Sequence, residues 1–228
     1  MHPLKSEQPA IVYIDVKSPY AFVAIKPTLA LEAKLGIQFD WRPLTLDIPS
    51  YLGSAKKSGG KVVQSNRSAS QWGAVKYAYR DARRYAEGQG YELHGTTKIW
   101  DSRLINIAFQ WVAARSRDQL GAFLLHVYPQ FWRRDLDVED MQVVHDQLET
   151  VGVDASGFQD YVAGDGGEQH DTLQAQLHGH GIYGVPTYVV NGEISFGREH
   201  LPYVEWQLQG ATGPMPDIAY PAPSEAPQ

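Results

Sequence analysis

Two β-rich runs at residues 10–16 and 37–43 are separated by a stretch whose apolar positions recur at helical spacing. A tight hairpin cannot join runs so far apart. A helical connection of about 17 residues is a crossover, and crossovers set strands parallel. A chain that opens β-α-β therefore builds a sheet with helices packed on its face. Pro19 stands at the first turn of the crossover helix, where its missing N–H costs nothing, and Ser18 precedes it. The helix carries Ala21, Phe22, Ala24 and Ile25, is expected to bend or break at Pro27, and stops near Gly36.

Residues 45–67, with KKSGGK at 56–61, are rich in Gly, Ser and Lys and read as one long loop, either a binding element or a solvated connector. From 68 to 178 the pattern turns helical. Trp72, Val75, Tyr79 and Ala82 share one face, and Leu104, Ile107, Ala108 and Trp111 mark a second helix. Residues 120–132 mark a third, disturbed near its end by Pro129, and further helices are expected within 135–152, 154–164 and 167–181. VPTYVVNGEISFG at 185–197 reads as a strand, an Asn191-Gly192 turn and a strand, because Asn-Gly is the strongest two-residue hairpin signal. A closing helix is expected at 200–209. The prolines from Pro214 to Pro227 mark an extended or disordered tail.

This order of elements is that of an α/β thioredoxin-like fold with a large all-helical insertion. Residues 10–67 and 179–210 form the thioredoxin-like domain, 68–178 the insertion and 211–228 the Pro-rich tail. Composition narrows what such a chain does. It is 228 residues long, 43% hydrophobic and 20% charged, enough for a real core. A net charge of −6 argues against nucleic acid as a partner. No apolar stretch reaches the length of a membrane span, and MHPLKSEQPA lacks the apolar core of a secretion signal, so a cytoplasmic location is expected.

There is no cysteine. Disulfides, thiolate nucleophiles and thiolate metal sites are excluded together, and any sulfur chemistry must come from a ligand. His170, His178 and His180 lie close in sequence without completing a zinc pattern; they read as a solvated helix end, and no metal is expected. Trp72, Tyr77, Trp100 and Trp132 read as core, which leaves Tyr20 as the one aromatic placed at the site.

Two short segments remain. The first is DVKSPYAFVA at 15–24, a strand end followed by a helix N-terminus, where unpaired N–H groups and the helix dipole favour an anion. There the Ser18 hydroxyl either caps the helix or donates to a thiolate held above it. The second is YGVPTYVV at 183–190, where Pro186 opens a strand. It is either a cis-proline that leaves the Val185 backbone free to pair with an extended ligand, or a plain trans turn.

DVKSPYAFVA and GIYGVPTYVVNGEISFGREHL together resemble the 2-hydroxychromene-2-carboxylate isomerases and kappa-class glutathione transferases, members of the DsbA-like branch of the thioredoxin superfamily. In that family a serine takes the place of the first cysteine of the CxxC pair, a position matched by Ser18, with Ala21 at the second. The resemblance implies a glutathione cofactor whose thiolate Ser18 orients. It implies that Val185, before cis-Pro186, pairs with the glutathione backbone, and that Glu199, in a place usually held by aspartate, binds the γ-glutamyl ammonium. An asparagine and a basic residue follow the second strand in the family, for which Asn66 and Lys61 are the candidates. The implied activity is glutathione-dependent isomerisation or transfer on a small aromatic electrophile, by a homodimer. The alternative is a non-catalytic thioredoxin-fold binding protein.

Overall fold

The computed structural model describes residues 1–217; the tail expected beyond that point lies outside the described residues. The opening is β-α-β: β1 (Ala10–Ile14), α1 (Pro19–Leu35) and β2 (Asp40–Pro43), with β1 and β2 parallel and Val12 opposite Trp41. The chain returns to the sheet as β5 (Thr187–Val190) and β6 (Glu193–Phe196). β5 runs antiparallel to β1 on its other side, and β6 antiparallel to β5, giving the order β2-β1-β5-β6. Asn191 and Gly192 turn the hairpin with φ of 52° and 83°, the left-handed pair that a two-residue turn requires. Every residue of β1 and β5 is buried, as central strands must be. The architecture is a DsbA-like thioredoxin fold.

Three boundaries differ from the sequence reading, each for a local reason. α1 continues through Pro27 without a break. A proline leaves the carbonyl four residues earlier without its helical donor. Here that carbonyl belongs to Val23, and Gln89 Nε2 donates to it at 2.8 Å. The second strand begins at Asp40 rather than 37, because Gly36 caps α1 at φ 64° and the Ile37 N–H bonds to the Glu32 carbonyl. The presumed loop at 45–67 is also structured. It holds α2 (Ile48–Leu52) and an exposed hairpin of β3 (Ala55–Ser58) and β4 (Lys61–Ser65), turned by Gly59 and Gly60 at φ 55° and 78°.

Between the two parts of the sheet lie α3 (Ala69–Gly88), α4 (Arg103–Arg115), α5 (Leu120–Arg133), α6 (Met141–Thr150), α7 (Phe158–Ala163) and α8 (Asp165–Leu177). α9 (Leu201–Leu208) closes the chain after a 3-10 turn at Arg198–His200. Pro129 lies inside α5 without breaking it; the carbonyl it deprives belongs to Leu125, on the exposed face. Phe22 of α1 stacks on Trp132 and Tyr128 of α5, joining the helical block to the crossover helix. Of the four aromatics read as core, only Trp132 is fully buried; Tyr77 is 53% exposed, and Trp72 and Trp100 are half-buried. No helix among the described residues is long and apolar enough to cross a membrane.

Candidate functional site

Ser18 stands at the end of the β1–α1 connection with the extended backbone of an N-cap, φ −89° and ψ 118°. Its side-chain oxygen accepts the Ala21 N–H at 3.1 Å, which fixes the oxygen over the first turn. The hydroxyl donates to the Val185 carbonyl at 3.2 Å. Both sequence segments singled out above therefore meet at one buried serine. The Val185–Pro186 peptide is cis, and the Pro186 carbonyl is occupied by the Gly197 N–H at 2.9 Å. Among the described residues no acceptor takes the Val185 N–H.

Behind Ser18 the corner is held by Asp15, which has no solvent exposure. Its carboxylate accepts the Leu46 N–H at 2.7 Å and the Lys17 N–H at 3.2 Å. Ser102, at the start of α4, also favours the charged form of this carboxylate. The Lys17 ammonium lies 3.8 Å away and donates to the Leu46 carbonyl at 2.6 Å. Burial pushes the Asp15 carboxyl up from its ordinary range, and Lys17 with these hydrogen bonds pulls the other way without cancelling it. One side chain thus ties the β1–α1 connection at Ser18 to the loop after β2.

The polar contacts continue outward. Asn106 Nδ2 donates to Ser102 Oγ at 3.3 Å and to Thr45 Oγ1 at 2.7 Å. Thr45 Oγ1 meets His170 Nε2 at 2.8 Å, and His170 Nδ1 meets Asp171 at 2.8 Å. Asp171 is gripped by both forks of Arg103, which together with His170 hold its carboxyl down at about 2. His170 is 2% exposed, so it belongs to this buried chain and not to a solvated helix end. Burial lowers its pKa below the ordinary histidine value, with Asp171 opposing.

The remaining sequence candidates divide. The Tyr20 phenol donates to Asp81 of α3 at 3.1 Å; burial first, then Asp81, then the nearby Glu199 carboxylate raise its pKa, so it stays protonated. Glu199 is exposed and makes no hydrogen bond among the described residues. Its neighbour Arg198 stacks on the Tyr85 ring at 3.5 Å, turned toward α3. Lys61 and Asn66 sit on the exposed hairpin, where Asn66 Oδ1 accepts the Ser54 N–H at 2.6 Å and closes the hairpin base. Neither lines the slot bordered by Lys17 and Pro19, the residues on either side of Ser18; Arg67 does, whereas Ser18, Tyr20, Val185, Pro186 and Glu199 are not in its wall.

That slot of about 90 Å³ is walled by Lys17, Pro19, Ile48, Leu52, Tyr79 and Trp100, among others. A chamber of about 480 Å³ under the hairpin shares Arg67, Tyr79 and Lys98 with its wall. Lys17, Asp15 and Tyr79 escaped sequence reasoning. The acid and the base in IDVKSP were the available signal, since a strand end heading into a buried corner is a costly place for either.

Gly197 leaves room for the Glu199 carboxylate. It is buried at φ 109°, and a Cβ there would come within 2.5 Å of the Glu199 carboxylate. Gly197→Ala is expected to cost about 1–2 kcal/mol and to swing that carboxylate outward. In urea unfolding, adding Glu199→Ala should recover part of the loss; no recovery would show that backbone strain accounts for all of it.

Comparison with known proteins agrees with this fold. The family model described as DSBA-like thioredoxin domain matches residues 10–209. A relative from Sphingobium xenophagum, a 2-hydroxychromene-2-carboxylate isomerase, is 27% identical over 197 residues, covering 86% of this chain and 95% of that protein. The solved structure of a 2-hydroxychromene-2-carboxylate isomerase superposes with a TM-score of 0.65 at 20% identity, covering 89% of this chain and 93% of the other. The cytosolic disulfide reductase DsbM from Pseudomonas aeruginosa with GSH superposes with a TM-score of 0.52 at 12% identity, covering 82% and 87%. With residues 10–209 of its 228 matched, the chain belongs to the DsbA-like thioredoxin domain family.

Proposed function

We propose that the protein is a glutathione-dependent isomerase acting on a small, acidic, aromatic electrophile. The observation that carries this reading is the single Ser18 proton, poised between the N-terminus of a 17-residue helix and the Val185 carbonyl in a chain without cysteine. When bound, glutathione supplies a thiolate that adds reversibly to a conjugated carbon and frees the adjacent double bond to rotate.

The residues present fit such a ligand. The Val185 N–H has no acceptor, and its carbonyl is served only by Ser18 among the described residues. Turning the Ser18 hydroxyl toward a sulfur therefore releases the Val185 carbonyl for a peptide N–H of the ligand. The oxygen does not move, because the Ala21 N–H holds it. Hydroxyl and helix dipole together stabilise an anion at that point. Glu199 offers a carboxylate to an ammonium from the other side, beside the protonated Tyr20. Pro19, Ile48, Leu52, Tyr79 and Trp100 give the slot apolar walls for a flat ring.

The same site supports transfer where the substrate carries a leaving group. Non-catalytic binding is the competing outcome. A glutathione titration followed by thermal unfolding tests the reading directly, since ligand bound to the native state raises Tm by mass action. At about 100 times Kd the gain is about 2.7 kcal/mol. S-methylglutathione, which cannot ionise, should give a smaller gain that does not grow between pH 6 and 8. No shift with either compound would end the glutathione reading.

A further inference from the structure

One buried ionisable ring takes no part in the proposed chemistry. His170 belongs to α8, in the helical block, yet its ring reaches the loop that follows β2. α8 holds that loop at three points. Thr45 Oγ1 meets His170 Nε2 at 2.8 Å, Gln174 Oε1 accepts the Thr45 N–H at 2.8 Å, and Gln174 Nε2 donates to the Pro43 carbonyl at 3.2 Å. The next residue, Leu46, donates its N–H to Asp15, and its carbonyl accepts from the Lys17 ammonium. Asp15 in turn accepts the Lys17 N–H, one residue before Ser18. An unbroken line of contacts therefore runs from α8 to the serine's neighbour.

The partners fix the state of the ring. The Asp171 carboxylate only accepts, so the nitrogen facing it at 2.8 Å, Nδ1, carries the proton. The Thr45 oxygen already accepts from Asn106 Nδ2 at 2.7 Å. Its own proton has one acceptor among the described residues, the bare Nε2. The ring is therefore the neutral Nδ1–H tautomer. A second proton would settle on Nε2, turn that acceptor into a donor and orphan the Thr45 proton. Burial is the largest influence against the charged ring, and Arg103 of α4 also opposes it; Asp171 on its own helix and Asp15 at the end of β1 favour it.

We propose that His170 is a positioning residue for the Ser18 corner: neutral, it fastens the loop after β2 behind Asp15; protonated, it releases Thr45 and weakens the corner's hold on glutathione. The effect on ligand rests on the glutathione reading, but the link from ring to loop is measurable without ligand.

Two variants isolate that link. His170→Gln offers an amide oxygen in place of Nε2 and cannot titrate, while Asp171 keeps both Arg103 bonds. Thr45→Val keeps the shape and removes the hydroxyl, so the ring still titrates and nothing answers it. In NMR spectra of the free protein between pH 4.5 and 7.5, the His170 nitrogens should show the Nδ1–H tautomer and titrate below the ordinary value of about 6.5. The Leu46 amide resonance should move with the same midpoint in wild type, stay still in His170→Gln and lose most of its movement in Thr45→Val. S-methylglutathione should bind wild type about fivefold more weakly once the ring is charged, the lower end of coupling between sites. By reciprocity it must then lower the His170 midpoint by about 0.7 pH unit. In both variants its affinity should be nearly level with pH. A ring that stays neutral down to pH 4.5, the opposite tautomer, a Leu46 amide that ignores the ring, or an acid loss of affinity that survives in both variants would each overturn the proposal. A Leu46 amide that follows the ring in a protein that ignores S-methylglutathione and glutathione would uphold the link and remove the glutathione reading, so the two failures read differently.

Discussion

Replacing Ser18 with alanine is expected to cut glutathione-dependent turnover about a hundredfold or more, the scale of losing one preorganised donor to a developing anion. Stability should fall by only about 1 kcal/mol, the ordinary cost of a lost N-cap. The two effects separate because they involve different ends of one hydroxyl. The oxygen accepts from Ala21 and serves the helix; the proton goes to Val185 or to the ligand. Glutathione should still bind the variant through the Val185 backbone and Glu199. Its thiolate absorbance in the ultraviolet should titrate at higher pH than in wild type. Matching titrations in the two proteins would leave Ser18 as a cap alone.

Asp15→Asn should be the more damaging change to the fold, costing about 3 kcal/mol. The carboxylate accepts from two backbone N–H groups in full burial. An amide has one acceptor, so its NH2 must face either Leu46 or Lys17 donor to donor. The effect has a defined pH dependence. Burial raises the folded-state pKa of Asp15 above its unfolded value, so its titration favours the native state at low pH. That contribution is fully present below the unfolded value and is lost as pH rises through the folded one. Asparagine cannot titrate. The stability gap between wild type and variant should therefore be widest near pH 4 and narrower near pH 7.5 in urea unfolding. A gap that widens with pH would mean that the corner prefers the carboxylate.

What the sequence disclosed follows the range of the physics involved. The strand–serine–proline–helix junction, the Asn-Gly hairpin and the helical faces are local, and residues a few positions apart determine them. Val185 and Ser18 lie far apart in the chain, and their meeting was expected from the resemblance rather than from spacing. The hairpin at 55–65 was missed because its strands are exposed along both faces and lack the alternation that marks a half-buried strand. Its Gly59-Gly60 turn was the overlooked sign. Pro27 misled because the compensating donor, Gln89, comes from another helix. His170 misled for the same reason, since Thr45 is what makes its burial tolerable. The chamber under the hairpin draws on the hairpin, α3 and the connection to α4 and has no signature in any one of them.

The Gln89 amide that serves the Val23 carbonyl has an electrical consequence for Ser18. Had Pro27 split the helix, the serine would head a stub of two turns. With the gap bridged, the peptide dipoles from Pro19 to Leu35 stay in one row, and their positive end rests at the serine. The field felt by an anion there thus depends on a side chain at the far end of α3, well away from any bound sulfur.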